Sequence, residues 1–144
     1  MVPESKYKIR PFADLQIGET ASLKRTVEEK DLEEFAKVSQ DTNPIHLDDE
    51  IARKSIFKGK VAQGMLLGAM ISALLGTKLP GNGYIYRSQD LKFLRPARIG
   101  DTLTVKAKIS NKNYEKKHVD VETTITNHKG ELLVKGRASA KAPF

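Results

Sequence analysis

The stretch Gly64–Thr77 reads GMLLGAMISALLGT and contains no charged residue. A helix that is apolar on nearly every face is expected to be buried all round. Its most apolar part, residues 65–75, is far shorter than the roughly 20 residues that a membrane span needs. Pro80 and Gly81 follow soon afterwards and predict the end of the helix. The rest of the chain must therefore supply an apolar surface that encloses this helix.

The second half of the chain alternates between apolar and polar residues, which is typical of antiparallel strands with one buried face. Three strands are predicted to bury alternate residues: Leu103, Val105, Ala107 and Ile109; Val119, Val121, Thr123 and Ile125; and Leu132, Val134, Gly136, Ala138 and Ala140. Residues 127–130 predict a hairpin turn, and residues 84–93 predict one further strand. The pattern favours an α+β domain in which an antiparallel sheet wraps around one apolar helix.

The first half predicts a strand over residues 21–27 and a helix over residues 27–40. Thr26 and Glu29 have the spacing of a capping box at the start of this helix. Its buried face is predicted to hold Leu32, Phe35, Ala36 and Ser39. The helix should end before Pro44, because a proline disfavours helical geometry in the residue that precedes it.

Composition limits the class of protein. The 144 residues fit a single domain, 1–144, and no linker divides them. The absence of cysteine excludes disulfide frameworks, cysteine-ligated zinc and thiol nucleophiles. The N-terminus lacks the apolar core of a secretory signal, which predicts a cytoplasmic protein with no membrane attachment.

The net charge of +7 is unevenly distributed along the chain. Residues 1–50 hold 7 basic and 12 acidic residues, whereas residues 51–144 hold 18 basic and 6 acidic ones. A basic surface attracts anionic partners. Here the cations alternate with core residues along strands, and no RNA-binding signature or aromatic–basic cluster occurs. We therefore expect a solvated sheet face rather than a nucleic-acid site.

Two segments could carry chemistry. The first is residues 41–46, DTNPIH, where Asp41 and His46 lie on either side of a turn and could hold one water and exchange protons with it. The alternative is that Asp, Asn and Pro merely end a helix and that the histidine is a surface group. The second is residues 59–65, where Gly64 at a helix N-terminus could present a backbone N–H to a carbonyl that gains negative charge. Taken alone, that glycine is better explained by close packing of the helix.

These residues belong to a longer pattern that resembles a known family. Asp41-x-Asn43-Pro44-x-His46 is similar to the hydratase motif of the MaoC-like, (R)-specific enoyl-CoA hydratases. Further matches in order and spacing are GML at 64–66, LPG at 79–81, LKFLRP at 91–96 and GD at 100–101. The resemblance extends from about Phe12 to Ala140, and these five motifs in register are more specific than the first motif alone.

The resemblance implies a hot-dog fold, an antiparallel sheet around a central helix, and a homodimer or dimer-based oligomer. It implies reversible hydration of a trans-2-enoyl thioester of CoA, or of an acyl carrier protein, with no cofactor and no metal. Asp41 and His46 would bind and activate the water, and the Gly64 N–H would polarise the thioester carbonyl. Asn43 and Pro44 would support the loop. Position 63 is commonly histidine in the family, and Gln63 would support the site through hydrogen bonds but cannot act as an acid there.

Three basic residues, Arg87, Lys92 and Arg95, are candidates for contact with carrier phosphates. Two other functions remain open at this stage. A hot-dog thioesterase would need a carboxylate on the central helix, and residues 64–79 contain neither Asp nor Glu. A non-catalytic module that binds acyl thioesters or nucleic acid would bind without turnover, and steeply salt-dependent binding of duplex would favour it.

Overall fold

A computed structural model describes residues 6–144 of the chain and contains a six-stranded antiparallel sheet. The strand order is β1-β4-β5-β6-β2, and β3 also pairs with β6. The strands are β1 (Thr20–Thr26), β2 (Ile85–Gln89), β3 (Lys92–Phe93), β4 (Thr102–Asn113), β5 (His118–Asn127) and β6 (Leu132–Lys141). The register pairs Val105 with Ile125, and the turn between β5 and β6 is closed by the Gly130 N–H, which donates to the Asn127 carbonyl at 3.0 Å.

Four α-helices and one short 3₁₀ turn, Phe12–Asp14, complete the domain. The helices are α1 (Glu29–Ser39), α2 (Pro44–Leu47), α3 (Asp49–Lys54) and α4 (Gly64–Thr77). The bounds of α4 are those predicted from the sequence. Ile71 and Leu74 of α4 are fully buried in one core with the inward residues of β4 and β5. The predicted sheet around a central helix is thus confirmed. Within residues 6–144, no helix is long and apolar enough to cross a bilayer.

Complete burial of α4 was a wrong prediction for the single chain. One side of the helix packs on the sheet, but Met65 is 59% exposed, and Ala69, Ser72 and Gly76 are exposed along the same side. The reason is geometric, since one layer of sheet covers only one side of a helix.

The single strand predicted over residues 84–93 is two strands, β2 and β3. The chain leaves the ladder at Asp90, whose N–H donates to the Arg137 carbonyl (2.9 Å) while its carboxylate accepts the Arg137 N–H (3.1 Å). The Asp90 carbonyl oxygen lies where a Cβ on Gly136 would stand, 1.8 Å from that position. Gly136 therefore lets the crossing strand approach the β6 backbone, and the break in the strand follows from this contact.

Two local predictions also require correction. The box at the start of α1 uses Glu28 and Asp31, and the Asp31 carboxylate accepts the Glu28 N–H at 2.9 Å. Thr26 instead ends β1 and bonds Thr102 across the sheet, so it is not available as a cap. In β6, Leu133 and not Leu132 is fully buried, because the register shifts next to Ile125.

Lys112 of β4 holds the N-terminal segment against the sheet. Its buried ammonium donates to the carbonyl oxygens of Phe12 (2.8 Å) and Leu15 (2.7 Å). The same nitrogen lies 4.4 Å from the ring centroid of Phe12 and 4.8 Å from that of Tyr114. Two carbonyls and two aromatic faces thus compensate the burial of this charge.

Lys112→Met is expected to lower the free energy of unfolding by about 2 kcal/mol, because two buried carbonyls lose a charged donor. The matched control is Lys116→Met in the exposed turn after β4, which should change it by less than about 0.5 kcal/mol. Urea unfolding measures both variants. Equal stabilities for the two would contradict an anchoring role for Lys112.

Candidate active site

The loop after α1 is organised by its own side chains. Gln40 takes a left-handed conformation (φ 66°) and ends α1. The Asp41 N–H donates to Ser39 Oγ (3.1 Å), and Asp41 Oδ1 accepts the Asn43 N–H (3.2 Å). Asn43 Oδ1 in turn accepts the Ile45 N–H (3.2 Å) and caps α2, which has Pro44 at its first position. Each polar side chain of the motif thus fixes the next turn, and the result is a defined position for His46 on α2.

The His46 ring is half-buried and is held by the backbone of a distant segment. Its Nδ1 lies 2.7 Å from the carbonyl oxygen of Val61. Because a carbonyl can only accept, Nδ1 carries a proton, and in the neutral ring the lone pair is therefore on Nε2. This contact gives the imidazole one orientation and one tautomer, with a basic nitrogen free for chemistry.

A cleft of about 360 Å³ opens beside His46. Asn43, His46, Gly64 and Arg95 line it together, among mostly apolar neighbours that include Phe57 and Phe93. Asp41 is half-buried on the loop but is not among the lining residues, and neither are Pro44 and Gln63. Of the residues predicted to act in catalysis, the described chain therefore brings His46 and Gly64 to one cavity, whereas Asp41 does not line it and reaches only the backbone of the lining residue Asn43.

The N-terminus of α4 opens onto this cleft at Gly64. A Cβ on Gly64 would stand 3.0 Å from Cε1 of the Phe93 ring, so a side chain here would require the ring that forms the cleft wall to shift by a few tenths of an ångström. The side chain of the preceding residue, Gln63, makes no cap hydrogen bond to this helix, and its Nε2 donates to the Leu32 carbonyl of α1 at 2.9 Å. Gln63 Oε1 is buried and has no hydrogen-bond partner in residues 6–144. The Leu66 N–H donates to the Gln63 carbonyl at 3.1 Å, so within residues 6–144 the amides of Gly64 and Met65 are those left for a ligand at the start of α4.

The three basic candidates line three different concavities. Arg95 lies at the cleft and pairs with Glu131 at 3.4 Å. Arg87 donates to Ser139 Oγ at 3.0 Å in a groove beside α4, and Lys92 lies in a polar hollow with Lys135. Only Arg95 adjoins His46 and Gly64.

Comparison with known proteins identifies the family. The model of the MaoC like domain matches residues 13–130, which is most of the chain. The chain belongs to this family. A MaoC-like relative, the "(R)-specific enoyl-CoA hydratase" of Rhodospirillum rubrum, is 44% identical over 132 residues, covering 92% of this chain and 91% of the relative. A "3-hydroxybutyryl-CoA dehydratase" of Methylorubrum extorquens is 36% identical over 143 residues, covering 99% of this chain and 89% of the relative.

A solved structure of a MaoC-like protein agrees with the architecture. The unliganded R-hydratase PhaJ1 of Pseudomonas aeruginosa superposes with a TM-score of 0.87 at 43% sequence identity, covering 92% of this chain and 85% of that one. The expected hot-dog fold is thereby confirmed.

Two contacts of the MaoC-like site were not predicted from the sequence: the Val61 carbonyl on His46, and the Phe93 ring on Gly64. Both residues lay in segments already singled out, 59–65 and 91–96. No feature of the sequence indicated that Val61 would contact His46 or that Phe93 would contact Gly64.

Proposed function

We propose that this protein is a hydro-lyase that adds water to trans-2-enoyl-CoA and forms (R)-3-hydroxyacyl-CoA, reversibly. The observation that carries the proposal is that one cleft holds both a histidine with a fixed basic Nε2 and the N-terminus of a helix at Gly64. Hydration of an enoyl thioester needs a base for the water and a donor for the oxygen that gains negative charge. The 44% identity to a protein named as an (R)-specific enoyl-CoA hydratase supports the same reaction.

In the proposed mechanism, the thioester carbonyl lies against the Gly64 N–H. Asp41 or His46 removes a proton from water as its oxygen bonds to C3. The π electrons of the enoyl group move towards the carbonyl oxygen, and the resulting enolate is stabilised by the helix N-terminus. A proton then bonds to C2, and the C=O double bond re-forms. In this mechanism the proton is carried by Asp41 or His46, and it is assigned to the two residues together rather than to one of them.

The carrier in this proposal is CoA, in keeping with the substrates in the names of both relatives. Arg95 is the basic residue placed to meet a carrier phosphate, because it lines the cleft and is well exposed. Arg87 and Lys92 line other concavities, so they are less well placed to bind a carrier phosphate at this cleft. An acyl carrier protein, which is acidic, would meet the same arginine.

We also propose that two copies associate through β2 and the exposed side of α4. β2 is an edge strand whose outer backbone groups are free to pair with another strand. It carries the exposed apolar residues Ile85 and Tyr86, and an apolar groove of about 470 Å³ lies between it and Met65 of α4. A second copy would cover this surface and would thereby bury the exposed side of α4, as the apolar sequence of that helix requires.

Ile85→Glu is expected to convert the dimer into a monomer, because it places a charge in the proposed interface. Ile56→Glu is the matched control, since Ile56 is 87% exposed and lies away from β2. Sedimentation velocity gives the mass of each variant and of the wild type. A monomeric wild type, or a dimeric Ile85→Glu variant, would rule out this interface.

The proposed reaction is tested with crotonyl-CoA. Loss of the enoyl absorbance is expected on adding the protein, with (R)-3-hydroxybutyryl-CoA as the product. The free thiol should stay at background, whereas a thioesterase would release CoA. Binding without turnover would instead indicate a non-catalytic module, and either of these results would refute the proposal.

A further inference from the structure

Residues 60–64 connect the elements of the site, and nearly every residue of this short segment is held by a partner. The Val61 carbonyl accepts from His46, and the Ala62 N–H donates to the Ala97 carbonyl at 2.8 Å. The Gln63 side chain reaches α1, and Gly64 begins α4. A small displacement of this segment would move both the partner of the imidazole and the amide at the helix N-terminus.

Lys60 is the residue that fixes the start of this segment. Its side chain is only 9% exposed, and its ammonium is hydrogen-bonded to the carboxylate of Glu29 and lies 3.5 Å from Asp49 Oδ1. The hydrogen bond with Glu29 raises the pKa of Lys60 above its ordinary value. The ammonium therefore stays protonated and shared between two carboxylates throughout the neutral range.

The two carboxylates come from the two helices on either side of the catalytic loop. Glu29 is the first residue of α1, which ends just before Asp41, and Asp49 is the first residue of α3, which follows the helix of His46. One cation thus joins the helix before the loop and the helix after it to the segment that carries Val61 and Gly64.

We propose that Lys60 is a positioning residue for the hydration reaction, acting through the Val61 carbonyl to hold the His46 imidazole in its active tautomer. This inference rests on the proposed function. An exposed ion pair would contribute little, whereas Lys60 is nearly covered and holds two partners on separate elements. Its loss leaves two carboxylates without their shared cation, and the helices around the loop lose a fixed spacing.

The test compares Lys60→Met with Lys54→Met in kcat and KM for crotonyl-CoA. Lys54 is the matched control, because it pairs with Glu50 at 3.0 Å on the surface of α3 with both side chains exposed. Lys60→Met should lower kcat about tenfold, because small misplacements of reacting groups are costly, and should change KM less than about twofold. Lys60→Arg should restore most of kcat, and Lys54→Met should match the wild type.

A second readout separates positioning from a general loss of stability. The ¹⁵N shifts of the His46 ring report its tautomer, and they can be assigned with the His46→Ala variant because the chain has three histidines. In Lys60→Met the two ring nitrogens should move towards each other in shift as the tautomers mix. Glu29→Gln and Asp49→Asn change exposed carboxylates, so they serve if Lys60→Met does not fold, and each should shift the same resonances in the same direction.

Unchanged His46 shifts in these variants would overturn the inference, whatever happens to kcat. A kcat for Lys60→Met within twofold of wild type would overturn it as well. If the wild-type protein does not hydrate crotonyl-CoA, the proposed function fails, and the ring shifts alone still decide whether Lys60 positions His46.

Discussion

Replacing His46 by alanine is expected to lower kcat for crotonyl-CoA hydration by about 10²–10⁴, the usual worth of a general acid–base group. The variant removes the basic Nε2 from the cleft and leaves the Val61 carbonyl without its donor. The fold should survive, since the half-buried ring lies on the short helix α2 and outside the core. Initial rates at saturating substrate measure the loss.

Asp41→Asn is expected to produce a loss of similar size by a different route. An asparagine oxygen can still accept the Asn43 N–H that Asp41 Oδ1 accepts now, so the loop should keep its shape. The side chain loses its negative charge and, as an amide, can no longer act as a base. A large drop in kcat with an unchanged unfolding curve is therefore the expected result.

Matched controls for these two variants lie in β5 and the turn that follows it. His128→Ala changes an exposed histidine, and Asp120→Asn makes the same change of side chain away from the cleft. Both should retain wild-type kcat within about twofold, as for surface substitutions in general. If the site variants were no slower than these controls, the assignment of the pair would be wrong.

Gly136→Ala is expected to lower the free energy of unfolding by about 3 kcal/mol, at the upper end of overpacking costs. The new Cβ would stand 1.8 Å from the Asp90 carbonyl oxygen, so the backbone of the β2–β3 crossing must move away from β6. Phe93 on β3 also packs against Gly64, and the cleft wall should loosen with it. Urea unfolding measures the first effect, and KM for crotonyl-CoA should report the second.

Gly59→Ala is the control for this change. Its new Cβ would have one neighbour within 4 Å, Arg98 Nη1 at 3.7 Å, which is ordinary contact. The free energy of unfolding should change by less than about 0.5 kcal/mol. Similar stabilities for Gly136→Ala and Gly59→Ala would show that the close approach of the β2–β3 crossing to β6 does not require a glycine at position 136.

Periodic segments made most of the fold predictable. Alternation placed Val105, Val121 and Ile125 in the core, and the uncharged run of α4 gave both of its ends correctly. Contacts between distant segments were not predictable in this way. The break between β2 and β3 depends on the Asp90 backbone lying over Gly136, and the exposure of Met65 depends on what the sheet leaves uncovered.

The same distinction applies to the candidate site: its local features were predictable from the sequence, whereas its contacts between distant segments were not. The Asp41 and Asn43 side chains organise a local turn, and His46 follows within the same six residues, so the motif alone predicted this part of the site. The partner of His46 is a backbone carbonyl fifteen residues away, and any residue could supply that group at position 61. Lys60 gave no signal of its own, because its two partners come from different helices.

The most direct test of the central claim, that Asp41 and His46 act on one water as a pair, is kcat of the double variant Asp41→Asn/His46→Ala beside both single variants. Residues that act as a unit show grossly non-additive losses. The account predicts that kcat of the double variant stays within about threefold of the slower single variant. A further loss that equals the product of the two single losses would contradict it and would assign the two residues to independent roles.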